Sequence, residues 1–168
     1  MKRTIILGTV AILALGGIVF LIERKRPVES QRVRHIPDIV VSDYDGKEIK
    51  LSELHRKVLI NVWASWCPFC KDEFQAFEKV KSQVGDAVTI IAINRAESLA
   101  TAKKYSDELH TPSIMYVLDA EDSFYGAIGG FSMPETLFVD ENGIILDHRR
   151  GPMNADEMER RIKQAFHL

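Results

Sequence analysis

The sequence predicts an α/β domain: a central mixed sheet flanked by helices, with an N-terminal β-hairpin extension, preceded by one transmembrane helix. Three observations carry this. Short apolar, β-branched runs alternate with amphipathic stretches, the pattern of strand–helix–strand units whose parallel sheet is covered by helices on both faces. Asn142-Gly143, between two further apolar runs, marks a closing antiparallel hairpin. The segment Thr4 to Ile22 holds 19 residues and no charge, close to the roughly 20 apolar residues that a spanning helix needs.

Each element has its own signal. Lys2 and Arg3 precede the apolar run, and Glu23 to about His35 is a polar tether. Residues 1–26 are therefore read as an uncleaved membrane anchor, 27–35 as a linker and 36–168 as the folded domain. A cleaved signal peptide is the competing reading, since Ala14-Leu15-Gly16 offers small residues. Cutting there would leave Ile18-Val-Phe-Leu-Ile22 as an exposed apolar end. Basic residues flank both ends of the run, so charge alone leaves the orientation open. Ile39-Val40-Val41, the turn Asp43-Tyr-Asp-Gly46 and the alternating Glu48–Leu51 form a hairpin, with Ser52 as a cap for a short helical turn.

Val58–Trp63 is a continuous apolar run, read as a buried central strand. From Pro68 the period becomes helical, with Cys70, Glu73, Phe74, Phe77, Val80 and Val84 on one face and Gly85 at the end. Val88–Ile93 is a second buried strand, and Glu97–Leu109 a helix. Ser113–Leu118 is extended, and Glu121–Ile128 is a short helix. Thr136–Val139 and Gly143–Leu146 are the hairpin strands. Asn154–His167 is a last amphipathic helix with Met158, Ile162, Ala165 and Phe166 on its apolar side.

Charge excludes one class of partner. The chain has 22 basic and 24 acidic residues, and five of the basic ones fall in the first 26 positions with a single acid. The remaining body is acidic, whereas phosphate binding needs clustered Lys and Arg. Nucleic acid is not an expected partner.

The chemistry lies in Trp66-Cys67-Pro68-Phe69-Cys70, which holds both cysteines of the chain. A structural disulfide closing so small a loop would stabilise weakly. A closed zinc site takes four ligands, and the five histidines (His35, His55, His110, His148, His167) show no ligand spacing. No metal is expected. A dithiol–disulfide centre fits best. Cys67 sits where a strand ends and a helix begins, and unpaired N–H groups and the helix dipole favour a thiolate there. Pro68 is tolerated in a first helical turn. Cys70 lies a turn deeper. The expectation is an exposed, ionised Cys67 that attacks and a shielded Cys70 that resolves the mixed disulfide, with no cofactor beyond the Cys67–Cys70 pair itself.

Glu73 is either an acid that complements the helix dipole or a carboxyl of raised pKa that exchanges protons with Cys70. Asn61 is polar within an apolar run; it bonds backbone near the site or marks the edge of its strand. Pro134 opens a strand, the one place in a strand where proline is acceptable, and Met133–Pro134 is a candidate cis bond.

Together, NVWASWCPFCKDEF and MPETLFVDENGII resemble the membrane-anchored thioredoxin-like proteins of bacteria, the TlpA/ResA/CcmG (DsbE) family, from about Ile36 to the carboxyl terminus. The Pro-Glu-Thr before Leu-Phe-Val-Asp looks most like the cytochrome c maturation branch. The resemblance implies a thioredoxin-like fold and thiol–disulfide oxidoreductase activity. It implies that Glu73 is the active-site glutamate and that Pro134 is a cis-proline lying against the cysteine pair. Trp66, Pro68, Phe69, Met133 and Pro134 would contact substrate. Partners would be proteins with disulfides or thiols, such as apocytochrome c, and a membrane electron donor of the thiol–disulfide type. Residues 4–22 would sit in the bacterial cytoplasmic membrane as a single pass, with the catalytic domain on the periplasmic side. Pro68-Phe69 departs from the Glu-Pro or Pro-Pro often found between the cysteines, and these residues tune redox potential.

Rival readings are a thiol oxidase or isomerase, a thiol peroxidase and a Cu(I) metallochaperone. Peroxidase sites of this fold place threonine where Ala64 stands. Two close thiolates suit soft Cu(I).

Overall fold

The structure, a computed structural model, describes residues 34–168. The membrane anchor read over residues 1–26 and all but the end of the linker lie outside the described residues. Among the described residues, no helix is long and apolar enough to cross a membrane.

One seven-stranded sheet organises these residues, in the order β2-β1-β5-β4-β3-β6-β7. β1 (Val40–Asp43) and β2 (Glu48–Lys50) form the expected hairpin. Gly46 turns it at φ 83°, and Asp43 accepts hydrogen bonds from the N–H groups of Asp45 and Lys47. A helical turn of 3₁₀ type follows at Leu51–Glu53. Ser52 does not cap it, because its hydroxyl donates to Asp38 instead.

β3 (Val58–Trp63) is buried along its whole length, as its unbroken apolar run predicts. It pairs parallel with β4 (Thr89–Arg95), which pairs parallel with β5 (Met115–Asp119). The connecting helices are α1 (Cys70–Val84) and α2 (Leu99–Leu109). α2 starts two residues later than the pattern predicts: Ser98 is its N-cap, accepting from Thr101 N–H, and Glu97 is left free for another task. The short α3 (Ser123–Ala127) leads to β6 (Glu135–Val139), which lies antiparallel to β3 and pairs with β7 (Ile145–Arg150). β7 runs four residues past the expected Leu146, because the polar stretch Asp147–Arg150 still completes its ladder against β6. α4 (Ala155–Phe166) closes the domain, capped by Asn154.

Side chains alternate across the sheet, so each face has its own core. Leu59, Trp63, Ile90 and Phe138 face α1, α2 and α4, meeting Phe74, Phe77, Met158 and Ile162. Ile60, Val62, Ile91, Ile93 and Leu137 face the other way, beneath Phe124 and Ile128 of the α3 region and Ile36 and Leu51 of the amino-terminal extension. The rear face of the sheet is therefore sealed mostly by the extension, and the cysteine-bearing face by three helices.

Candidate active site

Val62 in β3 lies opposite Glu135 in β6. The segment leaving β3 (Ala64–Cys67) and the segment entering β6 (Phe131–Pro134) therefore emerge at the same end of the sheet. Trp66, Cys67, Met133 and Pro134 fall on these two segments, Pro68 and Phe69 on the turn that follows the first, Cys70 and Glu73 on the first turn of α1, and Asn61 in β3.

Cys67 and Cys70 are joined in a disulfide, with Cα atoms 5.5 Å apart. Cys67 N–H donates to Ala64 O and Cys70 N–H to Cys67 O, so the motif is a tight turn. α1 begins at Cys70, not at Pro68. Pro68 and Phe69 belong to the turn that feeds the helix, where the missing N–H of Pro68 costs no bond. One expectation is corrected. Cys67 is 2% exposed and Cys70 1%, so the disulfide form does not present the first sulfur and hide the second. Both side chains join the cluster around Trp63 and Phe74. What protrudes is the flank: Trp66 is 64% and Phe69 58% exposed.

The disulfide loop is pinned from its amino-terminal side. Glu97, in the β4–α2 connection, accepts from Ser65 N–H (2.8 Å), Ser65 Oγ (2.5 Å) and Asn94 Nδ2 (2.6 Å). Burial pushes the Glu97 carboxyl up, but these hydrogen bonds outweigh it and hold the group below its ordinary value. The sequence pattern places Glu97 in a helix and carries no sign of this role.

Glu73 is buried on α1, one turn beyond Cys70. Its Oε2 accepts from Asn61 Nδ2 (2.9 Å) and its Oε1 from Met153 N–H (3.0 Å). Burial dominates and pushes the carboxyl up to about 8, against the opposing effect of these two donors and the Arg149 charge. Asn61 does not mark an edge; β3 is an interior strand, and the amide also donates to Thr136 Oγ1 (3.0 Å). A groove of about 450 Å³, lined by Phe69, Asp72, Glu73, Met153 and Ala155, opens beside this carboxyl.

The second segment is equally constrained. The Met133–Pro134 peptide is cis. Glu135, fully buried, accepts through Oε1 from both Phe131 N–H and Ser132 N–H (2.7 Å each), and its Oε2 meets His148 Nε2 at 2.6 Å. Tyr125 OH donates to Ser132 O (3.0 Å). Arg95 lies over the Tyr125 ring, pairs with Asp122 and reaches Met133 Sδ at 3.6 Å. Phe131 stands out from this platform, 82% exposed. Glu135 and Phe131 were missed. An acid at the head of an apolar strand, directly after a proline, is the available signal for Glu135; no pattern marks Phe131. Among the described residues, no group of three or more His, Cys, Asp or Glu is placed to hold a metal ion.

A disulfide-linked C-x-x-C between a buried strand and a helix, at the same end of an α/β sheet as a cis-proline loop, defines a thiol–disulfide oxidoreductase of thioredoxin-like fold. Comparison with known proteins agrees. The Redoxin family model matches residues 32–165, and the chain belongs to that family. It is similar to the thioredoxin-like protein YneN of Bacillus subtilis, 28% identical over 140 residues that cover 82% of each chain. It is also similar to the thiol:disulfide interchange protein DsbE of Pseudomonas aeruginosa, 34% identical over 90 residues covering 54% of this chain and 48% of the relative. The alignment thus spans about half of that relative's length. Among solved structures, MTB DsbF superposes with a TM-score of 0.70 at 23% identity, over 79% of this chain and 98% of the other. The resemblance to the TlpA/ResA/DsbE group read from the two motifs holds. The chain is an enzyme of thiol–disulfide exchange.

Proposed function

We propose that this protein is a reductant of disulfides in extracytoplasmic proteins, held to the bacterial cytoplasmic membrane by residues 4–22 with its catalytic domain on the periplasmic side. Apocytochrome c before haem attachment is the first candidate substrate, by analogy with the relatives named DsbE. The observation that carries the exchange chemistry is the buried Glu73 carboxyl one helical turn from Cys70, and the reductive direction is decided by the potential measured below. A base at that place serves the sulfur that must ionise second.

The cycle balances as follows. In the dithiol form, the Cys67 thiolate attacks one sulfur of a substrate disulfide, forming a Cys67–substrate bond and releasing one substrate thiolate. Cys70–SH passes its proton to the Glu73 carboxylate. The Cys70 thiolate then attacks the Cys67 sulfur, forms the internal disulfide and expels the second substrate thiolate. Two electrons leave the protein, and a membrane dithiol donor restores them. Met133 and Pro134 would offer backbone to an extended substrate strand, with Trp66, Pro68 and Phe69 along its other side.

The test is a trap. Cys70→Ser should accumulate a mixed disulfide on Cys67 with periplasmic proteins, and Cys67→Ser should accumulate none. The Cys67–Cys70 potential, measured against glutathione, decides direction: a value as oxidising as roughly −120 mV would defeat the reductive assignment in favour of the oxidase reading.

A further inference from the structure

Phe131 is 82% exposed, the most open of the large apolar side chains among the described residues. A lone exposed apolar residue is ordinary on a protein surface; the backbone beneath this one is not. Its N–H and that of Ser132 are both held by Glu135 Oε1, from a carboxyl that is fully buried and paired with His148. Gly130 N–H donates to Tyr125 O at 2.8 Å, and Tyr125 OH donates to Ser132 O. A side chain at Gly130 would run into the Tyr125 ring, so the loop lies flat against that ring, and the Arg95 guanidinium stacks over the same ring at 3.8 Å. Burying a carboxylate is unfavourable unless its oxygens are satisfied, and here two of the groups that satisfy Glu135 are the N–H groups that set where Phe131 stands. A loose loop would lose conformational freedom on meeting a partner; this one has lost it already. The loop runs directly into Met133 and Pro134, at the end of the sheet where the cysteine segment emerges.

We propose that Phe131 is a specificity-determining residue, a fixed ring that docks an apolar side chain lying beside the reacting cysteine of a substrate polypeptide that has not folded around its disulfide. The ring carries no charge and no hydrogen-bonding group, so it gains free energy only by covering apolar surface. A small polar disulfide gains nothing from it. In a folded protein the apolar neighbours of a cysteine are mostly turned into the core, so the ring favours a chain in which those side chains are still open. Trp66 and Phe69 stand exposed on the segment that carries the cysteines, and a polypeptide lying across both segments meets apolar surface on each. Continuity with Met133 and Pro134 favours a substrate chain over lipid or a second copy as the occupant, because exchange brings substrate to that place in every turnover. This inference rests on the reading that substrate lies along Met133 and Pro134, and it names the class of that substrate. It does not depend on the direction of exchange, since the same residues flank the substrate cysteines as a disulfide or as a dithiol.

The test uses the full chain and a pair of synthetic peptides of equal length, each with a single internal disulfide, that differ only in carrying leucine or serine next to the cysteines. Hydroxyethyl disulfide is the small probe. Rates are taken for reduction of the disulfides by the dithiol form and for oxidation of the peptide dithiols by the disulfide form. The parent should react with the leucine peptide roughly tenfold faster, in kcat/KM, than with the serine peptide. Phe131→Ser should bring the leucine peptide down to the rate of the serine peptide, with the serine peptide and the small probe unchanged, and Phe131→Leu should keep most of the preference. Equal slowing of all three substrates by Phe131→Ser, or a preference that it does not move, overturns the proposal. An intact preference with self-association in detergent lost would assign the ring to a second copy, and one with quenching by brominated lipid lost would assign it to the bilayer; either result overturns the proposal as well. Should Phe131→Ser not fold, Phe131→Gln, which keeps the reach of the side chain and loses its apolar end, is read in the same way. If only oxidation of the peptide dithiols proceeds, the reductive reading fails, while the leucine preference in that direction still decides the role of Phe131.

Discussion

At the scale of single residues, Glu73 links stability to activity. Its carboxyl ordinarily titrates at 4.5 and is pushed up to about 8 by burial. A raised carboxyl binds its proton more tightly in the folded than in the unfolded chain. Its contribution to stability is therefore complete below about pH 4.5 and lost as pH rises through about 8. Glu73→Gln removes that dependence. The urea midpoint of the variant should fall less than that of the parent between pH 5 and pH 9, and at the alkaline end the variant should be the more stable. Parallel curves would place the ionisation of Glu73 elsewhere. The same substitution should slow resolution by Cys70 and let the Cys67 mixed disulfide accumulate, because glutamine takes no proton. The cysteine pair was legible in the sequence through spacing, as two thiols at a strand–helix junction; spacing also put Glu73 on the same helical face but left its role open, and only the resemblance to a known family pointed to an active-site carboxyl. The exposure of Cys67 was not legible, since only the packed fold shows both sulfurs drawn into the cluster around Trp63 and Phe74.

At the scale of elements, local pattern and long-range pairing divide the fold between them. β3 was readable to the residue because an unbroken apolar run needs no partner to be recognised. β7 was not. His148, Arg149 and Arg150 look like solvent-facing residues until β6 is laid beside them and Glu135 is found against His148. Glu97 was hidden for a related reason, as its partner Ser65 is remote in sequence. These acids act as anchors, each fixing a loop that borders the disulfide. Glu135→Ala would leave the N–H groups of Phe131 and Ser132 without their acceptor and His148 without its partner. The expected loss is about 3 kcal/mol of unfolding free energy, read from chemical denaturation. It should come with slower reduction of protein substrates and little change for a small disulfide that needs no docking strand; equal slowing of both would show that the loop does not select substrate. Glu97→Ala should speed amide hydrogen exchange at Ser65, since that N–H donates to Glu97 Oε2 at 2.8 Å. Packing sets a third expectation. Phe77 is fully buried between α1 and the sheet, against Phe74, and Phe77→Ala should cost about 3–5 kcal/mol.

At the scale of the whole molecule, what the enzyme can exchange with depends on where its domain is held. The charge-free run of residues 4–22 and the acidic, cysteine-poor body belong to one proposed design. A helix of that length rises about 1.5 Å per residue and so nearly matches a hydrocarbon core of about 30 Å. The proposed tether would confine the disulfide centre to the membrane surface and so would raise its effective concentration toward the proposed donor in the same membrane. Outside the cytoplasm, a chain with both cysteines in one exchange pair also has no spare thiol to be captured in a wrong disulfide. The proposed topology can be read with a membrane-impermeant maleimide. Intact spheroplasts are first treated with a mild dithiol to open Cys67–Cys70 and then labelled. The full chain should be labelled without lysis and should sediment with membranes after alkaline washing. A chain lacking residues 4–22 should leave the membrane pellet. Labelling of the full chain only after lysis would put the domain on the cytoplasmic side, where a reducing thiol pool already does the work proposed for it, and the periplasmic substrate assignment would fall with the topology.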